Sequence, residues 1–213
     1  MRALIIGGAG FLGMKLAEKI LACGFEVDIF DVYQIDTADQ YLKNLVLSDC
    51  VGYFDVDIST ITADQVRRDY THIFHFAAIL GVQNVIDNPE KVLRQNVDLL
   101  NSAIAIAQYQ TKLQVFTFAS SSEVYAGGVY TQEIEIPTPE DVKIILPNIG
   151  SPRSTYLMSK LYGEAICFHS SLPFQIIRPH NIFGPRMGFR HVVPQLIKKV
   201  LLNDTGELAL HSA

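Results

Sequence analysis

The chain has no apolar run long enough to cross a bilayer, no basic stripe and no metal-binding cysteine spacing, and each absence removes a class of function. A transmembrane helix needs about 20 consecutive apolar residues, so no membrane span is expected. Net charge is −5, from 17 Lys and Arg against 22 Asp and Glu. With no clustered basic surface, nucleic acid is not an expected partner. Cys23, Cys50 and Cys167 are odd in number, far apart and without a C-x-x-C or Cys/His spacing, which predicts neither disulfides nor zinc. A cytoplasmic location, where thiols stay reduced, is the corresponding expectation. The 6 histidines form no H-x-x-x-H pair, so no metal is expected at all.

One amino-terminal pattern needs weighing against the missing membrane segment. Met1-Arg2, an apolar stretch and the sequence ILACG at Ile20–Gly24 together look like a lipoprotein cleavage site. Lys15, Glu18 and Lys19 fall inside that stretch, and a secretory signal requires an uninterrupted apolar core. The segment therefore reads as the start of a folded domain.

What the chain does have is 49% hydrophobic residues in 213, enough for the core of one domain or one and a half. Short apolar strands alternate with helical stretches. The strands are Ala3–Ile6, Val27–Phe30, Val51–Phe54, Ile73–Phe76, Val115–Phe118 and Phe174–Ile177. Helices are predicted over Phe11–Cys23, stopped by Gly24, from Pro89 to about Gln110, and over Ser154–Ser170. This βαβ rhythm predicts an α/β fold of Rossmann type, a doubly wound parallel sheet with helices on both faces.

GGAGFLG, Gly7–Gly13, lies between the first strand and the first helix. There Gly7 and Gly10 allow a tight turn and leave a path for a dinucleotide's pyrophosphate, while Gly13 lets helix and strand pack closely. The free N–H groups and positive dipole of the helix start, which begins with Phe11 and Leu12, suit an anion. Asp31 ends the next strand about twenty residues on, where a carboxylate can accept both hydroxyls of an adenosine ribose. No arginine follows it in DVYQ, so NAD is expected rather than NADP. Farther along, FASSSEVY (Phe118–Tyr125) ends a strand with hydroxyls, and STYLMSK (Ser154–Lys160) sets Tyr156 and Lys160 on one helix face.

With GGAGFLG, Asp31, HFAA (His75–Ala78), SSSEVY with YLMSK, and RPHNIFGPRMG (Arg178–Gly188) in order, the sequence resembles the extended short-chain dehydrogenase/reductases. Within them it resembles the NAD-dependent nucleotide-sugar epimerase/dehydratase family, over essentially the whole chain. The resemblance implies Tyr156 as catalytic acid/base, Lys160 as its partner and a holder of the nicotinamide ribose, and Ser121 as the hydrogen-bond partner of the reacting hydroxyl. An adjacent ammonium and a cationic nicotinamide ring would both favour the Tyr156 phenolate. It also implies Asp57 and Ile58 beside the adenine, Ala77 and Ala78 along the cofactor, and Asn181 near the phosphates of a nucleoside-diphosphate sugar. His75 reads as structural. Asn96 matches an asparagine of the family's N-V-x-G-T segment, although Leu99 and Leu100 replace its Gly-Thr; read by itself it is a helix surface amide.

Ser122 and Glu123 bear on the step after oxidation. Related 4,6-dehydratases carry Asp-Glu here, and UDP-glucuronate decarboxylases carry Ser-Glu together with a GPRM segment like Gly184–Met187. A 4-epimerase-type enzyme is the leading expectation, a UDP-glucuronate decarboxylase-like enzyme the alternative, and a non-catalytic NAD-sensing protein the alternative of another class. Arg186 and Arg190 are candidates to grip the diphosphate, and Arg178 a weaker one that can instead be structural.

Three expectations concern organisation. Residues 1–178 form the NAD-binding domain, and 179–213 begin a sugar-nucleotide domain that looks truncated and would hold its ligand poorly, with a strand at ELALHS. The connector Ala126–Arg153 reads as a partly ordered lid. The segment SAIAIA (Ser102–Ala107) is apolar almost all round, which together with the resemblance points to a homodimer.

Overall fold

The fold was described from a computed structural model, which describes residues 1–188 and 191–202. Those residues divide after His180 into a compact unit Met1–His180 and a second one from Asn181. Arg190 and the strand expected at ELALHS lie outside the described residues.

The first unit is built on a six-stranded sheet. Its strands are β1 (Arg2–Ile6), β2 (Glu26–Asp31), β3 (Val51–Asp55), β4 (His72–His75), β5 (Val115–Ala119) and β6 (Phe174–Ile177), in the order β3-β2-β1-β4-β5-β6. Every pairing is parallel. This is the doubly wound order, whose reversal at β1 and β4 opens a crevice beyond the strands' carboxyl ends. In register, Ile6 lies opposite Phe30 on one side and His75 on the other, so the chain leaves these strands at one level. β4 stops one residue before the sequence reading had it. Phe76 and Ala77 both donate from their N–H groups to the Ile6 carbonyl, at 2.8 and 2.9 Å, and that shared acceptor ends the ladder.

The main helices are α1 (Phe11–Ala22), α2 (Gln40–Val46), α3 (Val82–Asp87), α4 (Pro89–Gln108), α5 (Ala126–Thr131) and α6 (Pro152–His169), with α7 (Val192–Leu201) in the second unit. One sheet face carries Leu4, Ile6, Ile73, Phe116 and Phe118 beneath α4 and α6, and the other carries Ile5, Val27 and Ile29 beneath α1. Proline at the first position starts both α4 and α6, where its missing N–H is no loss.

The apolar SAIAIA turns of α4 bury Ala103, Ile104, Ile106 and Ala107 in the chain's own core, and α6 packs along the same helix. The cover expected from a partner subunit is thus supplied in large part from within. The Ala126–Arg153 connector is ordered at its start by α5 and pinned where Gly127 packs against the Ile145 carbonyl with no room for a Cβ. Among the described residues no helix is long and apolar enough to cross a membrane, and no group of three or more His, Cys, Asp or Glu side chains is placed to hold a metal.

Candidate active site

The carboxyl ends of the parallel strands β1, β2, β4 and β5 are closely followed by, or end on, Gly7, Asp31, Ala77 and Ser121. After Ile6 the backbone turns through Gly7, whose φ of +82° is left-handed, and its N–H donates to the Phe30 carbonyl at 2.8 Å. A Cβ there would stand 2.5 Å from the Ala77 nitrogen, so the strand ends bearing Gly7 and Ala77 approach as closely as only glycine permits. A Cβ on Gly13 would meet the Gly7 oxygen and the Gly8 Cα, both at 2.6 Å, which fixes α1 tightly on the turn. Gly10 caps α1 without any side-chain hydrogen bond, and the first turn holds no acid. Its amino-terminal N–H groups and dipole therefore suit a phosphate. A cradle that a Cβ would fill, beside such a helix start, fits a pyrophosphate.

Asp31, at the end of β2, accepts hydrogen bonds from the N–H of Ala9 at 2.9 Å and of Tyr33 at 3.1 Å. It ties the glycine turn to the end of β2. Burial pushes its carboxyl pKa up, and the bonds from Ala9 and Tyr33 oppose that. Asp57 caps a short turn by accepting from the Ser59 N–H at 2.9 Å. The Ile58 side chain is buried in the core with Leu4, Ile6 and Phe30, so it has no free face for an adenine. Ala77 and Ala78 are half-buried in the loop after β4.

Asn96 is no surface amide. It is 7% exposed, its Oδ1 accepts from the Ile79 N–H at 2.7 Å, and its Nδ2 donates to the Ile79 carbonyl at 3.3 Å and to Ser159 at 3.4 Å. It thereby clamps the loop after Ala77-Ala78 to the helix that carries the catalytic candidates.

β5 ends at Ala119 and leads through Ser120 and Ser121 into a tight helical turn, Ser122–Tyr125, with the Ser121 hydroxyl accepting from the Glu123 N–H at 3.2 Å. Lys160 on α6 is buried, donates to the Ala119 carbonyl at 2.9 Å and lies 5.4 Å from the Tyr156 ring centre. Burial lowers its pKa to about 8. The Tyr156 phenol is pushed up to about 12, first by burial and further by the Glu123 charge, against a hydrogen bond with Ser121 that lowers it. Lys160 is desolvated and directed at the Ala119 carbonyl, so in the chain without a cofactor burial sets the direction of the phenol's shift. His75, sandwiched by Phe116 and Phe118, is fully buried and pushed down to about 3 by burial and by Lys160, the neutral structural histidine expected.

A cavity of about 200 Å³ lies against this constellation, lined by Leu80, Val82 and Val85 opposite Ser121, Glu123, Arg153 and Tyr156. Arg153, absent from the sequence reading, donates from Nη2 to Glu123 Oε1 at 2.7 Å. Its position three residues before Tyr156 on one helix was the available signal. Glu164, also missed, continues the Tyr156-Lys160 stripe by one more turn. It takes Arg178 bidentately, Nε to Oε1 at 2.9 Å and Nη2 to Oε2 at 2.7 Å, and accepts from Ser120 at 2.5 Å. Arg178 is therefore committed to this pair, to Tyr125 Oη at 2.6 Å and to the Glu140 carbonyl at 2.8 Å, and is no diphosphate ligand.

In the second unit Asn181 is exposed and Arg186 half-buried, with a left-handed φ of 71°. A cavity of about 520 Å³ within that unit is lined by Phe183, Met187, Val193, Ile197 and Leu201, with Lys198 the one charged side chain among the described lining residues. Among the described residues its lining holds no carboxylate or hydroxyl side chain, unlike that of the smaller cavity.

The model of the NAD dependent epimerase/dehydratase family matches residues 3–212. A UDP-N-acetyl-alpha-D-glucosaminuronate decarboxylase of Bacillus cytotoxicus is 29% identical over 210 residues, covering 95% of this chain and 62% of that protein. Among solved structures, a UDP-glucuronic acid 4-epimerase from Bacillus cereus, in complex with UDP-glucuronic acid and NAD, superposes with a TM-score of 0.79 at 25% identity, over 94% of this chain and 63% of that one. An NAD-dependent NDP-hexosamine 5,6-dehydratase of tunicamycin biosynthesis gives 0.72 at 26% identity, over 94% and 61%. The chain thus spans less than two thirds of the length of these relatives.

Proposed function

From the premise that the chain belongs to the NAD-dependent epimerase/dehydratase family, we propose that it oxidises a nucleoside-diphosphate sugar to a transient keto-sugar and returns the hydride to the other face, as a 4-epimerase does. Ser121 and Tyr156 on one cavity, Lys160 buried one helical turn after Tyr156 and bonded to the end of β5, and the tight Gly7–Gly13 turn after β1 together carry this reading. NAD, when bound, supplies the hydride acceptor and a positive ring. In this reading Gly7, Gly10, Phe11, Leu12 and Gly13 hold the pyrophosphate, Asp31 the ribose, and Asp57 with the Ile58 backbone, Ala77, Ala78 and Asn96 shape the rest of the cofactor groove.

Ser121 orients the sugar hydroxyl toward Tyr156, and Tyr156 takes its proton as the carbon-bound hydrogen leaves as hydride. Because burial holds the phenol near 12, the proton transfer depends on positive charge brought close to it. Ser122 and Asn181, with Arg186 and Arg190, contact the sugar nucleotide in this proposal.

A second reading, decarboxylation of a uronic-acid nucleotide, is favoured by the Ser122-Glu123 pair and by Arg153 in the cavity. A 4-keto uronic acid is a β-keto acid and loses carbon dioxide without a further acid catalyst. A homodimer and a cytoplasmic location complete the proposal. Exposed, free Cys23 and Cys50 suit a reducing compartment. Sedimentation of the full chain as a monomer at high concentration would remove the dimer. Product analysis with NAD and several sugar nucleotides tests the reaction: an isomer supports epimerisation, carbon dioxide the second reading, and unchanged sugars neither.

A further inference from the structure

The Glu123–Arg153 pair invites a role of its own, because its geometry is unlike that of the other ion pair near the site. Arg178 presents Nε and both Nη atoms to Glu164, Tyr125 and Glu140, with its side chain 18% exposed and that of Glu164 only 7%. Arg153 makes a single contact, Nη2 to Glu123 Oε1 at 2.7 Å, while 57% of its side chain and 35% of that of Glu123 remain exposed. Its Nε and Nη1 make no hydrogen bond among the described residues. A half-exposed, one-point pair adds little to folding stability, so the fold gains little by placing it here.

The surroundings point to a ligand. The other residues lining the cavity are apolar or bear hydroxyls: Leu80, Gly81, Val82, Val85, Ser121 and Tyr156. Glu123 and Arg153 are its two charged members, and Arg153 stands one helical turn before Tyr156 on the face that Tyr156 uses. A sugar bearing only hydroxyls gives a guanidinium there nothing that water does not. A carboxylate attached close to the reacting carbon can take the free edge of the guanidinium with two parallel hydrogen bonds.

We propose that Arg153 is a specificity-determining residue that reads a carboxylate on the sugar, exchanging Glu123 for the substrate as its ion-pair partner. The proposal rests on the nucleotide-sugar reading above and narrows it to uronic-acid nucleotides. On exchange the Glu123 carboxylate is released beside Ser121 and Tyr156, so recognition of the substrate and freeing of a base are one event. No bond other than hydrogen bonds changes in this step.

Binding of UDP-glucuronate and UDP-glucose, which differ only in a carboxylate against a hydroxymethyl group, tests it in the full chain loaded with NAD. Arg153→Met should weaken UDP-glucuronate at least about tenfold while UDP-glucose changes less than about threefold, the loss expected of a charge-assisted contact. Arg153→Lys should recover part of the UDP-glucuronate affinity. Glu123→Gln should leave that affinity equal or tighter, since it removes the competing carboxylate. Equal weakening of both sugars by Arg153→Met, or weakening by Glu123→Gln to match it, would make the pair a structural tie and overturn the assignment. If neither sugar nucleotide binds the unsubstituted chain while NAD does, the nucleotide-sugar reading falls and takes this one with it.

Discussion

Arg178→Met should unfold the catalytic rim at much lower denaturant than the parent protein. The substitution leaves Glu164 as a carboxylate with its side chain 7% exposed and only Ser120 as a hydrogen-bond partner. It also strips a donor from the Tyr125 hydroxyl and the Glu140 carbonyl. Removing one member of a buried pair costs about 3–5 kcal/mol, because the partner's charge stays desolvated. At about 2–4 °C per kcal/mol for a chain of this size, the melting point should fall by about 6–20 °C.

The double variant Glu164→Leu/Arg178→Met removes both charges and should be more stable than the sum of the single losses by about 2 kcal/mol or more. Urea denaturation of the four proteins gives this cycle directly, with little dependence on salt because the pair is shielded from solvent. Additivity within about 0.5 kcal/mol would refute the reasoning, as would a loss below about 1 kcal/mol for Arg178→Met alone.

Other outcomes follow from the same structure. His75 binds a proton in the unfolded chain below its ordinary pKa of 6.5 but in the fold only near pH 3. Unfolding therefore takes up a proton between those values, and stability is lost as pH falls through the window, by up to about 1.4 kcal/mol per pH unit. His75→Phe should remove that component, so urea midpoints of parent and variant should converge or cross between pH 6 and pH 4; parallel curves would refute the assignment. Gly7→Ala combines a left-handed φ of +82° with a 2.5 Å approach to the Ala77 nitrogen, so NAD affinity measured by calorimetry should fall at least about tenfold. Tyr156→Phe should lower turnover by about 10²–10⁴ with NAD affinity within about threefold, and retained turnover would remove Tyr156 as the acid/base.

Much of the first unit was legible from local signals. Apolar runs bounded by Gly and Pro located the strands of the sheet, and the Gly7–Gly13 spacing located the tight turn between β1 and α1, because backbone conformation and helix ends impose those residues locally. The catalytic candidates were legible as a helix spacing, Tyr156 to Lys160. What escaped the sequence depends on elements distant in the chain. Asn96 clamps Ile79 and touches Ser159, and nothing within α4 signals that its amide is buried. Arg178 was the weaker diphosphate candidate and open to a structural role, and the partner that gives it that role, Glu164, lies fourteen residues earlier. The ammonium beside Tyr156 was visible in the spacing, whereas burial of both groups, which sets the direction of their shifts in the chain without a cofactor, was not.

The central claim, NAD-dependent chemistry through a keto-sugar, is tested most directly by product analysis. The full chain would be incubated with NAD and, separately, UDP-glucose, UDP-glucuronate and other sugar nucleotides, and the products separated by chromatography with mass detection. A new isomer of unchanged mass is the predicted result, and a product lighter by carbon dioxide would keep the claim while moving it to the second reading. Recovery of every sugar nucleotide unchanged, by a protein that still binds NAD, would contradict it.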